Sequence, residues 1–105
     1  MIDFTFSKPD EIVKLLCERL RQMRIAQQMT QAELAGRAGV SVNTVSNMEA
    51  GRNIAFESVV RIAMVLGRGK ELEELFKPQL TTLDDLRRYE ESTSRQRIKK
   101  RNDHA

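Results

Sequence analysis

The residues with the clearest chemical capacity occupy one short run, Ser41-Val42-Asn43-Thr44-Val45-Ser46-Asn47-Met48-Glu49. Val45 and Met48 are spaced to face a core if the run is helical. Val42, Asn43, Ser46 and Asn47 then lie on the other faces, and the N-terminal residues are the ones best placed to enter a groove. An asparagine amide presents an acceptor and a donor together, the pair that matches N6 and N7 of adenine. The methyl groups of Val42 or Thr44 match the methyl of thymine, and one good bidentate pair discriminates between bases by about 1–3 kcal/mol. Arg52, just past the run, is a candidate for a phosphate contact. The plainer alternative for Asn43, Thr44, Ser46 and Asn47 is a solvent-facing helix surface.

Other chemistry is poorly represented. Cys17 is the single cysteine and His104 the single histidine, so the sequence offers neither an intramolecular disulfide nor a Cys/His set for structural zinc. It has no glycine-rich phosphate loop, no carboxylate pair in a catalytic context and no nucleophile beside a base. A helical chain of 105 residues leaves little room for a substrate cavity. The expectation is a protein that is not an enzyme and needs no cofactor or metal. Cys17, Met23, Met48 and Met64 read most simply as core or near-core filler, and His104 as incidental. No apolar run approaches the roughly 20 residues of a membrane span. Met1-Ile2-Asp3-Phe4 lacks a basic-then-apolar leader, so the expected compartment is the reducing cytoplasm.

The distribution of charge carries more information than its total of +3. Residues 1–91 hold 13 Lys/Arg against 14 Asp/Glu, whereas residues 92–105 hold 5 against 1. Within the first part, residues 19–52 carry Arg19, Arg21, Arg24, Arg37 and Arg52 against Glu33 and Glu49, and residues 71–91 are mostly acidic. This division suits a polyanion such as nucleic acid on one face and a different partner on another. Charges scattered for solubility are the alternative.

Helices must position these groups. The chain has no Trp and only five aromatic side chains, Phe4, Phe6, Phe56, Phe76 and Tyr89, a composition that favours an all-α fold. Ile2, Phe4 and Phe6 alternate with polar residues and suggest a short extended arm over 1–9. Ser7, Pro9 and Asp10 start a helix whose apolar stripe is Ile12, Leu16, Leu20 and Met23, ending near Gln28 or Met29. Thr30 and Glu33 form a capping box for a two-turn helix with Leu34, Ala35 and Ala38 inward and Gly39 left-handed at its end. Ser41 caps the next helix, through Glu49 or Ala50, and Gly51 closes it. A fourth helix is predicted over 56–66 with Val59, Ile62, Ala63 and Leu66 buried, and Asn53 is its nearest polar cap. A fifth covers 70–76 before Pro78. Leu80, Leu83 and Leu86 allow a short helix from Thr82 within an extension over 78–91. Residues 92–105, where Ile98 is the one large apolar side chain, are expected to form a disordered basic tail.

Two short helices joined by Ala38-Gly39-Val40-Ser41 carry the marks of a helix-turn-helix. Thr30-Gln31-Ala32-Glu33-Leu34-Ala35, Ala38-Gly39-Val40-Ser41, Thr44-Val45-Ser46, Glu49-Ala50-Gly51-Arg52, Ile62-Ala63 and Leu66-Gly67 together resemble the Cro/C1-type, or Xre, family of small DNA-binding regulators. The resemblance covers about residues 12–76. It implies a compact five-helix bundle of the lambda-repressor-like type over 10–77, here with a C-terminal extension, that binds a palindromic operator as a dimer. By this resemblance Val42, Asn43 and Asn47 match base-reading positions, and Gln31 matches a position that clasps phosphate and braces a reading residue. Thr44, Ser46 and Arg52 fall to phosphate binding or support. Arg24 and Glu49 match a structural ion pair between the first helix and the end of the recognition helix. The sequence departs from the family pattern before the fourth helix, where Ile54-Ala55-Phe56 replaces the usual Pro or Ser/Thr start, and in the extension after Pro78.

These features imply a transcriptional regulator, a repressor in which two copies place their recognition helices in successive major grooves. Leu72, Leu75 and Phe76 are the expected dimer surface. The alternative is an antitoxin. The acidic stretch followed by Arg95-Gln96-Arg97-Ile98-Lys99-Lys100-Arg101 is similar to tails of small Xre-type regulators paired with HipA-type kinase toxins, and such a protein neutralises a toxin and represses its own operon. The basic tail lacks an apolar face or lipidation signal, so no membrane role is expected.

Overall fold

A computed structural model describes residues 3–103, with side chains described for 3–96. Ile2, His104 and the side chain of Ile98 lie outside the described residues. The described backbone is all-α, in the order α1 (Pro9–Ala26), α2 (Gln31–Ala38), α3 (Val42–Glu49), α4 (Phe56–Val65), α5 (Gly69–Glu74) and α6 (Leu83–Asp103). The chain divides into two units between Leu75 and Phe76, α1–α5 in the first and α6 in the second.

Local chemistry explains most boundaries of the first unit. Pro9 opens α1, where a missing N–H costs nothing, and the Glu11 carboxylate accepts from the Lys8 N–H at 3.3 Å. The Thr30 and Ser41 hydroxyls accept from the N–H groups of Glu33 and Thr44, each at 3.0 Å, and so cap α2 and α3. Between them Gly39 adopts φ 69°, a left-handed conformation in which Cβ would crowd the chain, and this reverses the backbone within a few residues.

The core sits where α2 meets α3 and α4 and where α1 meets α3. Leu34, Val45, Met48 and Ile62 are its largest fully buried side chains, and Cys17, Met29, Ala35, Ala38 and Leu66 complete the cluster. Fully burying each of the larger residues contributes about 1.5–3 kcal/mol. The Gln27 amide on the chain leaving α1 donates to the Leu66 carbonyl at the end of α4, at 3.0 Å, closing the bundle.

The structure corrects the sequence reading at several points. In place of an extended arm, Phe4–Phe6 form a 3-10 turn capped by Asp3, whose carboxylate accepts from the Thr5 N–H at 2.9 Å. A local cap of this kind satisfies backbone that an arm without a partner strand would leave unpaired. The α1 helix stops at Ala26 because Gln28 turns to φ 56°. Ala55, not Asn53, is the N-cap of α4 and makes no side-chain bond there. The α5 helix stops at Glu74, since Leu75 is extended and Phe76 has φ 57°. Leu16 faces partly outward on α1, and Cys17 takes the buried position beside it. Met64 is 62% exposed and fills no core space.

The largest difference lies at the C-terminus. The short helix and disordered tail expected over 78–105 are replaced by one helix, α6, continuous from Leu83 to Asp103. The Thr82 hydroxyl accepts from the Asp85 N–H at 3.1 Å and Asp84 and Asp85 occupy the first turn, a favourable start against the helix dipole. No Gly or Pro follows Pro78, and Arg, Lys, Glu and Gln are good helix formers. Low apolar content removes tertiary burial, but it leaves these local preferences intact.

Candidate nucleic-acid interface

The α3 helix is fixed to the domain on one side and open on the other. Val45 and Met48 have no exposed surface. At 100° per residue, Asn43 lies nearly opposite that buried side, with Ser46 and Asn47 flanking it and Val42 nearer the edge. Val42, Asn43 and Ser46 are exposed, and Thr44 and Asn47 are half-buried. Val42, Asn43 and Asn47 thus share one short helix whose start is capped by Ser41.

Ser46 points outward, while Thr44 Oγ1 lies 2.9 Å from Ser41 Oγ and is drawn into the cap. Arg52 stands just past α3, where Gly51 at φ 76° bends the chain back. Its Nη1 donates to Asn47 Oδ1 at 2.9 Å, and its backbone N–H donates to the Asn47 carbonyl at 2.9 Å. The sequence reading places both residues at the interface but does not foresee the bond between them. Its only sequence signal is the five-residue separation around a glycine.

Gln31 opens α2, and its backbone N–H lies at a helix N-terminus, a place favourable to an anion. Its side chain is engaged inward: Nε2 donates to Glu49 Oε1 at 3.1 Å. Arg24 donates to Glu49 twice, Nε to Oε2 at 2.6 Å and Nη2 to Oε1 at 2.9 Å, and its Nη1 donates to the Met29 carbonyl at 2.7 Å. Arg21 Nε lies 4.0 Å from Glu49 Oε1. The Glu49 side chain is 4% exposed and that of Arg24 13%. Burial alone would raise the Glu49 carboxyl, but the hydrogen bonds from Arg24 and Gln31, with the charges of Arg24 and Arg21, hold it below the usual carboxylate range. The hydrogen bonds to Glu49 and its charge in turn raise Arg24 against its own desolvation. One carboxylate therefore joins α1, the start of α2 and the end of α3.

Leu72 is half-buried on α5, and with Leu75 it lines an apolar groove together with Leu16, Leu20, Met23 and Val59. Phe76, in the second unit, is 89% exposed. Among the described residues no group of His, Cys, Asp and Glu is arranged to hold a metal, and no helix is long and apolar enough to cross a membrane.

The arrangement presents small hydrogen-bonding side chains on a rigid helix, with arginine and a helix N-terminus beside it, which suits the edges and phosphates of a DNA groove. The model of the helix-turn-helix family matches residues 20–75, which hold α2 and α3 with the turn between them, and so the chain belongs to the Cro/C1-type, or Xre, family of helix-turn-helix DNA-binding regulators.

Proposed function

We propose that this protein is a sequence-specific transcriptional repressor that binds a palindromic operator as a homodimer. In this reading α3 enters the major groove, with Val42, Asn43 and Asn47 on base edges. Gln31, Thr44, Ser46 and Arg52 hold phosphate or support the reading residues. The observation that carries it is the two-sided build of α3, fully buried through Val45 and Met48 and polar on the opposite side. Leu72, Leu75 and Phe76 supply the dimer contact, and occupancy of the operator in the cytoplasm blocks transcription.

The test is selection from random duplex DNA at about 150 mM salt, where weak phosphate contacts are partly suppressed. The full chain should enrich a two-fold-symmetric motif with half-sites about one helical turn, roughly 34 Å, apart. Asn43→Ala with Asn47→Ala should lose that motif. Enrichment of the same motif by the double variant would refute the assignment of these residues.

A second reading is supported by α6, where Leu83 and Tyr89 are exposed apolar side chains on an otherwise polar helix. Here the protein is an antitoxin that neutralises a HipA-type kinase toxin and represses its own operon, with the region 92–105 serving the partner. Truncation after Glu91 separates the two readings. A repressor alone keeps its operator motif and loses nothing else, whereas an antitoxin loses toxin binding.

A further inference from the structure

Asn47 and Arg52 are joined by two hydrogen bonds, one between backbones and one between side chains, each 2.9 Å long. The left-handed turn at Gly51 makes both possible by returning the chain onto the last turn of α3. A guanidinium has donors and no acceptor, so its contact fixes which end of the Asn47 amide faces it. The oxygen points to Arg52 and the NH2 points away. Bidentate reading of adenine requires the reverse availability, with the amide oxygen accepting from N6 while the NH2 donates to N7.

We infer that Asn47 and Arg52 form a single donor-only reading unit that selects guanine, an inference that rests on the reading of α3 as the base-reading helix. The outward amide hydrogens of Asn47 and the remaining N–H groups of Arg52 are all donors. Guanine alone presents two acceptors, N7 and O6, and no donor to the major groove. Adenine and cytosine would set an amino group against this donor edge, and thymine offers one acceptor beside a methyl. Arg52 has two parts in this unit: it orients the Asn47 amide and adds its remaining donors to the same edge. Asn43, exposed one turn earlier, is left to read adenine.

Selection from random duplexes with the full chain tests this. Asn47→Ala identifies the base pair read at that position as the one that becomes degenerate, and guanine is expected there in the parent motif. Arg52→Ala should release the amide and reduce the guanine-over-adenine preference at that pair by about tenfold, with the rest of the motif retained. Arg52→Lys, which keeps a donor-only group, should preserve guanine. Since Arg52 is exposed, thermal melts of these variants should match the parent. Adenine at the Asn47-dependent pair would overturn the inference while leaving the reading of α3 intact. So would an Arg52→Ala protein that weakens uniformly with its guanine preference unchanged, the behaviour of a phosphate contact. A parent chain that enriches no motif, or one indifferent to Asn43 and Asn47, would overturn both.

Discussion

Arg24 near the end of α1 grips both carboxylate oxygens of Glu49, the last residue of α3, at 2.6 and 2.9 Å. The pair sets the position of α3 relative to the rest of the bundle, and Gln31 and the Met29 carbonyl complete its hydrogen bonding. Neither residue needs to touch DNA to affect binding.

Arg24→Ala or Glu49→Ala should each destabilise the domain by about 3–5 kcal/mol, because each breaks the pair in a mostly buried place, leaving Arg24 without a carboxylate or Glu49 with only the more distant Arg21 at 4.0 Å. Removing both should cost less than the sum, since no lone charge remains. Urea unfolding followed by circular dichroism measures this. Single losses below about 1 kcal/mol would mean that the pair is solvated like an ordinary surface bridge.

The same carboxylate predicts a response to acid. Glu49 has a folded value held below the ordinary one, so the stability it contributes is fully present above the unfolded value of about 4.3. That contribution is lost as the pH falls through the lower, folded value. Glu49→Gln cannot titrate, so the parent should be the more stable protein at pH 7 and its lead should shrink steadily below about pH 4.3. A lead that stays constant down to pH 3 would assign the acid sensitivity to other groups.

The parts of this fold that were legible in sequence are those specified by neighbours a few residues apart. Thr30 with Glu33, Gly39, and Ser41 mark α2, the turn and α3 because caps and left-handed turns are made within one helical turn of chain. The Arg24 and Glu49 partners lie 25 residues apart, and no local pattern links them; only likeness to a family does. The bond between Asn47 and Arg52 is not legible in the sequence, because it depends on how Gly51 folds the chain back. Beyond residue 91 the low apolar content argues for disorder, but the stretch has no helix breaker and is rich in good helix formers, so α6 continues to Asp103.

Two glycines should differ in what an added methyl costs. Gly39→Ala forces a left-handed alanine at a penalty of roughly 1–2 kcal/mol, with the new Cβ at an ordinary 3.4 Å from Arg61 Nη1. Gly51→Ala carries the same backbone penalty and also sets its Cβ 2.7 Å from Cγ of Lys14, near the root of that side chain. Thermal melts should therefore rank Gly51→Ala below Gly39→Ala. Gly51→Ala should also disturb Arg52 and, through it, the guanine preference proposed for Asn47.

Cys17 supplies a probe of the whole bundle. It is buried in the cluster that contains Met48 and Leu34, and burial raises its thiol above the ordinary value, so little thiolate is present and little of that is accessible. A thiol reagent at pH 8 should react with the folded parent only through opening of the domain, at a rate that tracks the population of the open form. Arg24→Ala and Glu49→Ala should each accelerate labelling by about 10²–10⁴-fold if they remove about 3–5 kcal/mol of stability. Variants confined to the outer face, Asn43→Ala and Asn47→Ala, should label at the parental rate. That contrast separates loss of DNA binding through unfolding from loss through the base-reading roles proposed for Asn43 and Asn47: slow labelling with lost binding places the defect on the outer face of α3, whereas fast labelling places it in the bundle that holds α3.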